Sequence, residues 1–329
     1  MEIAKALILA GCGSEDRLWP AGSVGSRHLF PIANRPILFH NLEALRAAGV
    51  LEATILAAPD ARRAIQHAVG DGSEWGLILR FAPWRSSVGL GGALAAGRGF
   101  IGDEPVLVQH ADALLRERMH AHISAFAREA LDALALRLRD RGRHDRDEAP
   151  GYLLSPRAVS ILAEGRGIAA NPIAGVRAKG GRVRVQDVDG CLACHGDQQT
   201  LLESNRRVLE SLSAHADPRR FEACSFQGAV DIHPTAHVER SLLRGPVVIG
   251  PGARVTDAYV GPYTSIGAGV VIEGAEIEYS IVLPEAELRF VGTRLESSVI
   301  GRGARIARGF DLPGAIRMSI GDGAEIVLR

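Results

Sequence analysis

The chain has 329 residues, 47% of them hydrophobic and 23% charged, with 38 Lys and Arg against 38 Asp and Glu. That length suffices for one large or two medium domains with a buried core, and the balanced charge argues against a polybasic nucleic-acid or membrane binder. The cations are lopsided, because Lys5 and Lys179 are the only lysines, and some reactions need lysine at a fixed place.

In chain order, short aliphatic runs and helical stretches alternate at Ala6–Leu9, Ile37–Ala48, Ala53–Ala57, Leu77–Phe81, Gly91–Ala96 and Val106–Gln109. Strands alternating with amphipathic helices predict a mostly parallel sheet wrapped by helices. On such a sheet a small-molecule ligand binds at the carboxyl ends of the strands, here in the loops starting at Gly11, Pro83 and His110. The stretch from Arg137 to Glu148 is dense in Arg, Asp and His and predicts an exposed loop. A helix from Gln198 to Ser213 follows.

From about residue 228 an apolar residue recurs six positions after another: Ile232 and Val238, Ile249 and Val255, Val260 with Ile266 and Ile272, Val282 and Leu288, Ile300 and Ile306, Ile320 and Ile326. A small residue usually stands two before the second member, as at Ala236, Ala253, Ala286, Ala304 and Ala324. This predicts a hexapeptide β-solenoid in which the aliphatic residues point inward, with Gly250-Pro251 and Gly261-Pro262 at corners. Open coil edges expose unpaired strand groups, so a homo-oligomer is expected.

The cysteines, Cys12, Cys191, Cys194 and Cys224, are too scattered for a disulfide framework. No stretch approaches the ~20 apolar residues of a membrane span, and no export signal is evident, so the expected compartment is the cytoplasm.

Ala6-Leu7-Ile8-Leu9-Ala10-Gly11-Cys12-Gly13, then Arg17-Leu18-Trp19-Pro20, then Leu29-Phe30-Pro31-Ile32-Ala33-Asn34-Arg35-Pro36, resemble the signature of sugar-1-phosphate nucleotidylyltransferases, closest to the long form of glucose-1-phosphate thymidylyltransferases. Gly151-Tyr152-Leu153-Leu154, Leu201-Leu202-Glu203-Ser204-Asn205 and Val260-Gly261-Pro262-Tyr263 extend the likeness. The resemblance implies a Rossmann-like nucleotidyltransferase α/β domain over residues 1–215 and a left-handed parallel β-helix over 216–329. It also implies attack of a sugar phosphate on the α-phosphorus of a nucleoside triphosphate, releasing pyrophosphate. Gly11 and Gly13 would let backbone N–H groups approach the phosphates, Arg17 and Arg27 would offset developing charge, and Asp112 would hold Mg²⁺. Trp84 stands where the base-reading glutamine is expected, Gly89 opens the loop that approaches the base, and His110 borders the metal aspartate.

Several positions depart from that pattern. The glycine loop is one residue longer and carries Glu15 and Asp16, whose carboxylates are unfavourable beside a polyphosphate by ~1 kcal/mol per close pair in water. Arg27 replaces a lysine, which changes shape and reach. A second lysine, expected after a glutamate, has no counterpart. Counting back from Leu201 puts Cys194 at the place of the second metal aspartate, and the region from about 113 to 190 is short for the sugar-binding part. The favoured expectation is a divergent homologue whose original reaction is lost or repurposed. The alternative is an active nucleotidylyltransferase of altered specificity.

Cys191-Leu192-Ala193-Cys194-His195 matches a haem-attachment string, which is set aside because such attachment belongs to exported proteins. Carried onto the family site, Cys194 and His195 face Asp112 and His110. That leaves open a zinc site, a histidine-activated cysteine, or cysteines that pack as small apolar residues. His233 and His237 raise hexapeptide acyl transfer as a lesser possibility.

Overall fold

The computed structural model describes residues 3–11, 26–85, 87, 89–115, 118–139, 149–164, 171–193, 198–213, 216–217 and 220–308. Its first half runs β1 (Lys5–Ala10), a hairpin of β2 (Pro31–Ile32) and β3 (Arg35–Pro36), α1 (Ile37–Ala47), β4 (Glu52–Ala57), α2 (Pro59–Val69), β5 (Ile78–Pro83), α3 (Gly89–Ile101) and β6 (Val106–His110). It continues through β7 (Ala113–Leu115), α4 (Met119–Arg128), β8 (Ala133–Leu138), β9 (Gly151–Leu154), α5 (Pro156–Glu164), α6 (Pro172–Ala178), β10 (Val183–Val188), β11 (Gly190–Leu192) and α7 (Gln198–Leu209).

Seven strands form one sheet in the order β10-β8-β9-β6-β1-β4-β5, parallel except at β9. Both faces are covered, which explains the unbroken apolar run of β1. Ala6, Ile8 and Ala10 join the core beneath α1, α2 and α4, whereas Leu7 and Leu9 join the core with α3, α5 and α6. The period of two in a strand sorts one run into two cores.

Three sequence expectations are corrected. Arg137 and Leu138 are not loop residues; they end β8 in register with Asp187 and Val188, and Arg137 Nε donates to Asp187 Oδ1 at 2.6 Å. The apolar run Ala133–Leu136 carries its charged end onto the neighbouring strand, where a facing carboxylate satisfies it. Residues 140–148 lie outside the described set. Gly89, read as part of a loop, begins α3 with φ +63°, a left-handed value natural to glycine at a chain reversal. The helix from Gln198 ends at Leu209, short of Ser213.

The second half is a parallel β-helix of three five-stranded sheets. Paired positions advance by 17 residues, from Val230 to Val247 to Thr264, close to six per side. The apolar pairs of the sequence become stacks: Ile232, Ile249, Ile266, Val282 and Ile300 on one side, and Val238, Val255, Ile272, Leu288 and Ile306 on the next. Ile320 and Ile326 lie outside the described residues.

The two halves share a small core of Phe30, Ile32, Ile37, Ala193, Leu201, Leu202, Ile281 and Leu283. At its centre Asn205 is fully buried. Its Oδ1 accepts from Ala33 N at 2.8 Å and from Ser265 Oγ, and its Nδ2 donates to Tyr263 O at 3.1 Å. Asn34 Nδ2 donates to Ile266 O at 2.7 Å. Among the described residues no helix is long and apolar enough to cross a membrane.

Candidate active site

The parallel strands β1, β4, β5 and β6 end together at Ala10, Ala57, Pro83 and His110. Gly11, buried, leaves this edge directly after β1. The pairing of β1 with β6 runs one step past the strand, because Ala111 N donates to Leu9 O at 2.9 Å. Asp112 follows with no exposed surface.

The Asp112 turn is gripped on further sides. Asn41, on the buried stripe of α1, donates Nδ2 to His110 O at 2.9 Å and to Ala113 O at 3.2 Å. The antiparallel ribbon of β7 and β11 pairs Leu192 with Ala113, and beyond it Ala193 N donates to Asp112 O at 3.0 Å. Cys194 is therefore the residue directly after the one bonded to Asp112. Cys194 and His195 themselves lie outside the described residues, with Gly13 and Arg17.

Cys191 lies beside this turn, with Sγ 3.3 Å from Ser204 Oγ. Burial pushes its thiol up, and the charges of Asp112 and Glu203 add to that, against the Ser204 hydrogen bond and Arg207. In the metal-free protein this disfavours the thiolate at neutral pH. The hard carboxylate of Asp112 beside a protonated sulfur suits Mg²⁺ better than zinc, since Mg²⁺ is held by one or two carboxylates together with substrate phosphates. No group of three or more His, Cys, Asp or Glu that could hold a metal occurs among the described residues.

Trp84 turns out to be a core residue. It is 7% exposed and belongs to the apolar cluster that contains Leu9, Leu56, Ala93 and Leu94. Its backbone N–H reaches Ala57 O at 2.9 Å, and its indole Nε1 is buried with no hydrogen-bond partner. Arg27, half-buried, opens a one-turn 3₁₀ helix at which Ser26 Oγ accepts from His28 N.

Sequence reasoning passed over Asn41, although a polar residue four from Ile37 and four from Leu45 on an apolar stripe was a readable signal. Asn34 and Asn205 stood inside the quoted motifs without a role; both join the halves of the molecule. The region 113–190 builds β7 to β10 and the helices between, so three of the seven sheet strands come from it.

A nucleotidyl transferase family model matches residues 5–146. Over 349 aligned positions the chain is 33% identical to a glucose-1-phosphate thymidylyltransferase of Streptomyces griseus, covering 97% of this chain and 98% of the relative. The chain belongs to the sugar-1-phosphate nucleotidylyltransferase family. A second glucose-1-phosphate thymidylyltransferase, of Streptomyces antibioticus, is 29% identical with 99% of each chain covered. A low-salt glycan biosynthesis nucleotidyltransferase of Haloferax volcanii is 28% identical over 98% of this chain and all of its own length. A Bacillus anthracis chain solved with sucrose, and provisionally named a glucose-1-phosphate thymidylyltransferase, shares the fold at a TM-score of 0.53 and 17% identity, covering 64% of this chain and 97% of its own. In the Streptomyces griseus alignment, 97% of 329 residues is about 319, so roughly 30 of the 349 positions face gaps in this nucleotidylyltransferase homologue.

Proposed function

We propose that the chain is a divergent sugar-phosphate nucleotidyltransferase homologue in which thymidylyl transfer to glucose 1-phosphate is lost or repurposed, while the Asp112 corner persists as a divalent-metal and phosphate site. The burial of Trp84 carries this reading. Where the family reads the base with a paired amide, this chain has a donor-only indole packed in the core at 7% exposure. Glu15 and Asp16 in the glycine loop, and the gaps against the longer relatives, act in the same direction.

What survives is positional. Gly11 leaves β1 at the strand edge, and Asp112 is fixed two residues beyond β6. A divalent metal ion held there would supply positive charge against phosphate oxygens. Asp112 would hold the ion, and the arginines at 17 and 27 would supply the remaining positive charge.

A panel of nucleoside triphosphates and sugar phosphates with Mg²⁺, read by pyrophosphate release, tests the proposal. No turnover with dTTP and glucose 1-phosphate is expected; robust turnover with that pair overturns it. The second reading, an active nucleotidylyltransferase of altered specificity, is favoured by the intact Asp112 and its tightly held turn. Turnover with a different pair selects it.

A further inference from the structure

Asn41 is the one polar residue among the buried positions of α1, with Ile37, Leu38, Leu42 and Leu45. It is 1% exposed. A buried amide in an apolar stripe is costly unless hydrogen-bonded, and leucine at this position would continue the stripe. The geometry gives the amide another task. Both hydrogens of one Nδ2 are used, on His110 O at 2.9 Å and on Ala113 O at 3.2 Å. Because both partners are carbonyls, the NH₂ group must face them, and the orientation of the amide is fixed.

The two carbonyls bracket Ala111 and Asp112. The groups between them are held too, Ala111 N–H by Leu9 O and Asp112 O by Ala193 N–H. Four backbone groups over four residues are thus tied to α1, β1 and the end of β11. With its backbone tied on each side, Asp112 has a fixed Cα–Cβ direction, and a carboxylate serves a metal only when its supporting shell holds it.

We propose that Asn41 is a positioning residue for Asp112, holding the turn that aims the carboxylate at a divalent metal ion carrying phosphate. The inference rests on the reading of Asp112 as a divalent-metal ligand. Asn41 acts through the backbone and touches no ligand itself.

The test uses the full-length protein and the Mn²⁺ complex of inorganic pyrophosphate, with binding read from the enhancement of water-proton relaxation. Asn41→Leu keeps the branched outline of the side chain and raises helix propensity but removes both donors; about ten-fold weaker binding is expected, with the far-UV circular dichroism retained. Asn41→Ala, which removes both donors without adding bulk, should weaken binding to a similar extent, and it carries the comparison alone if Asn41→Leu does not fold. Asp112→Asn should abolish the enhancement. Unchanged affinity in the folded Asn41 variants, with loss in Asp112→Asn, overturns the role of Asn41 and leaves the metal site standing. No enhancement in the unaltered protein, or full enhancement in Asp112→Asn, overturns the metal reading and this inference with it.

Discussion

The side-chain oxygen of Asn205 accepts the backbone N–H of Ala33 at 2.8 Å, across 172 positions of sequence. The same amide donates to Tyr263 O on the β-helix. One buried side chain therefore ties the hairpin of the signature run, α7 and a coil of the solenoid.

Asn205→Ala leaves the half-buried Ala33 N–H and Tyr263 O without this partner, and the expected loss is about 1–3 kcal/mol. Gln198, which donates to Ser297 O from an exposed position, should cost less than about 0.5 kcal/mol on the same change. Denaturant unfolding of both variants measures the difference. Equal losses would show that the joint does not depend on Asn205.

Trp84 makes two substitutions diverge. Trp84→Ala opens a large cavity in the core and should cost about 3–5 kcal/mol. Trp84→Phe removes a buried indole N–H that has no partner while keeping most of the apolar bulk, and should cost less than about 1.5 kcal/mol. A Phe variant as unstable as the Ala variant would mean that the indole N–H is satisfied in solution.

His40 supplies a pH dependence. Burial is the main cause that holds its imidazole below the usual value, helped by Arg35 and opposed by hydrogen bonds to the Ile32 and Arg35 carbonyls and by Glu43. Its Nε2 lies 3.0 Å from Ile32 O. The unfolded chain takes up the proton first, near pH 6.5, so this contribution to stability is complete above that value and is lost as the pH falls towards the depressed folded value. Between pH 7.5 and 5.0 the melting temperature of His40→Gln should fall less than that of the unaltered protein. Parallel profiles would exclude His40 as a source of acid sensitivity.

Two glycines of α3 should respond with opposite sign. A Cβ on Gly91 would stand 2.8 Å from the carbonyl oxygen of Leu162, whereas one on Gly99 meets nothing within 4 Å. Gly99→Ala should stabilise by about 0.5–1 kcal/mol through helix propensity. Gly91→Ala must push α3 off α5 and should destabilise by about 1–3 kcal/mol. Thermal melts of the two variants decide, and stabilisation by Gly91→Ala would contradict the close approach of the helices.

The sheet and the solenoid were legible because each writes a period into the sequence. The run at Ala6–Leu9 could only be a strand covered on both faces, and Ile249 and Val255 sit six apart because a coil side is about six residues long. The loop that carries Asp112 was legible from the apolar run Val106–Gln109 before it. Asn41 was not, because its partners are carbonyls that no pattern of side chains records. The fate of Trp84 was equally hidden, since a residue after a strand can turn into the cleft or into the core, and only packing decides. Arg137 and Leu138 looked like loop by composition, yet strand pairing with β10 overrode it.

At the joint, the contacts that Asn34 and Asn205 make with their amide hydrogens fall on the carbonyls of Ile266 and Tyr263. Main-chain acceptors are present whatever side chains a coil carries, so these two donations follow the path of the solenoid, and the Ser265 hydroxyl is the side chain of the coil that the Asn205 amide also needs. Coils from a distant relative could then be grafted behind this α/β half, provided that Ser265 and the 17-residue step from Val247 to Thr264 are kept. The architecture is modular at the level of the backbone.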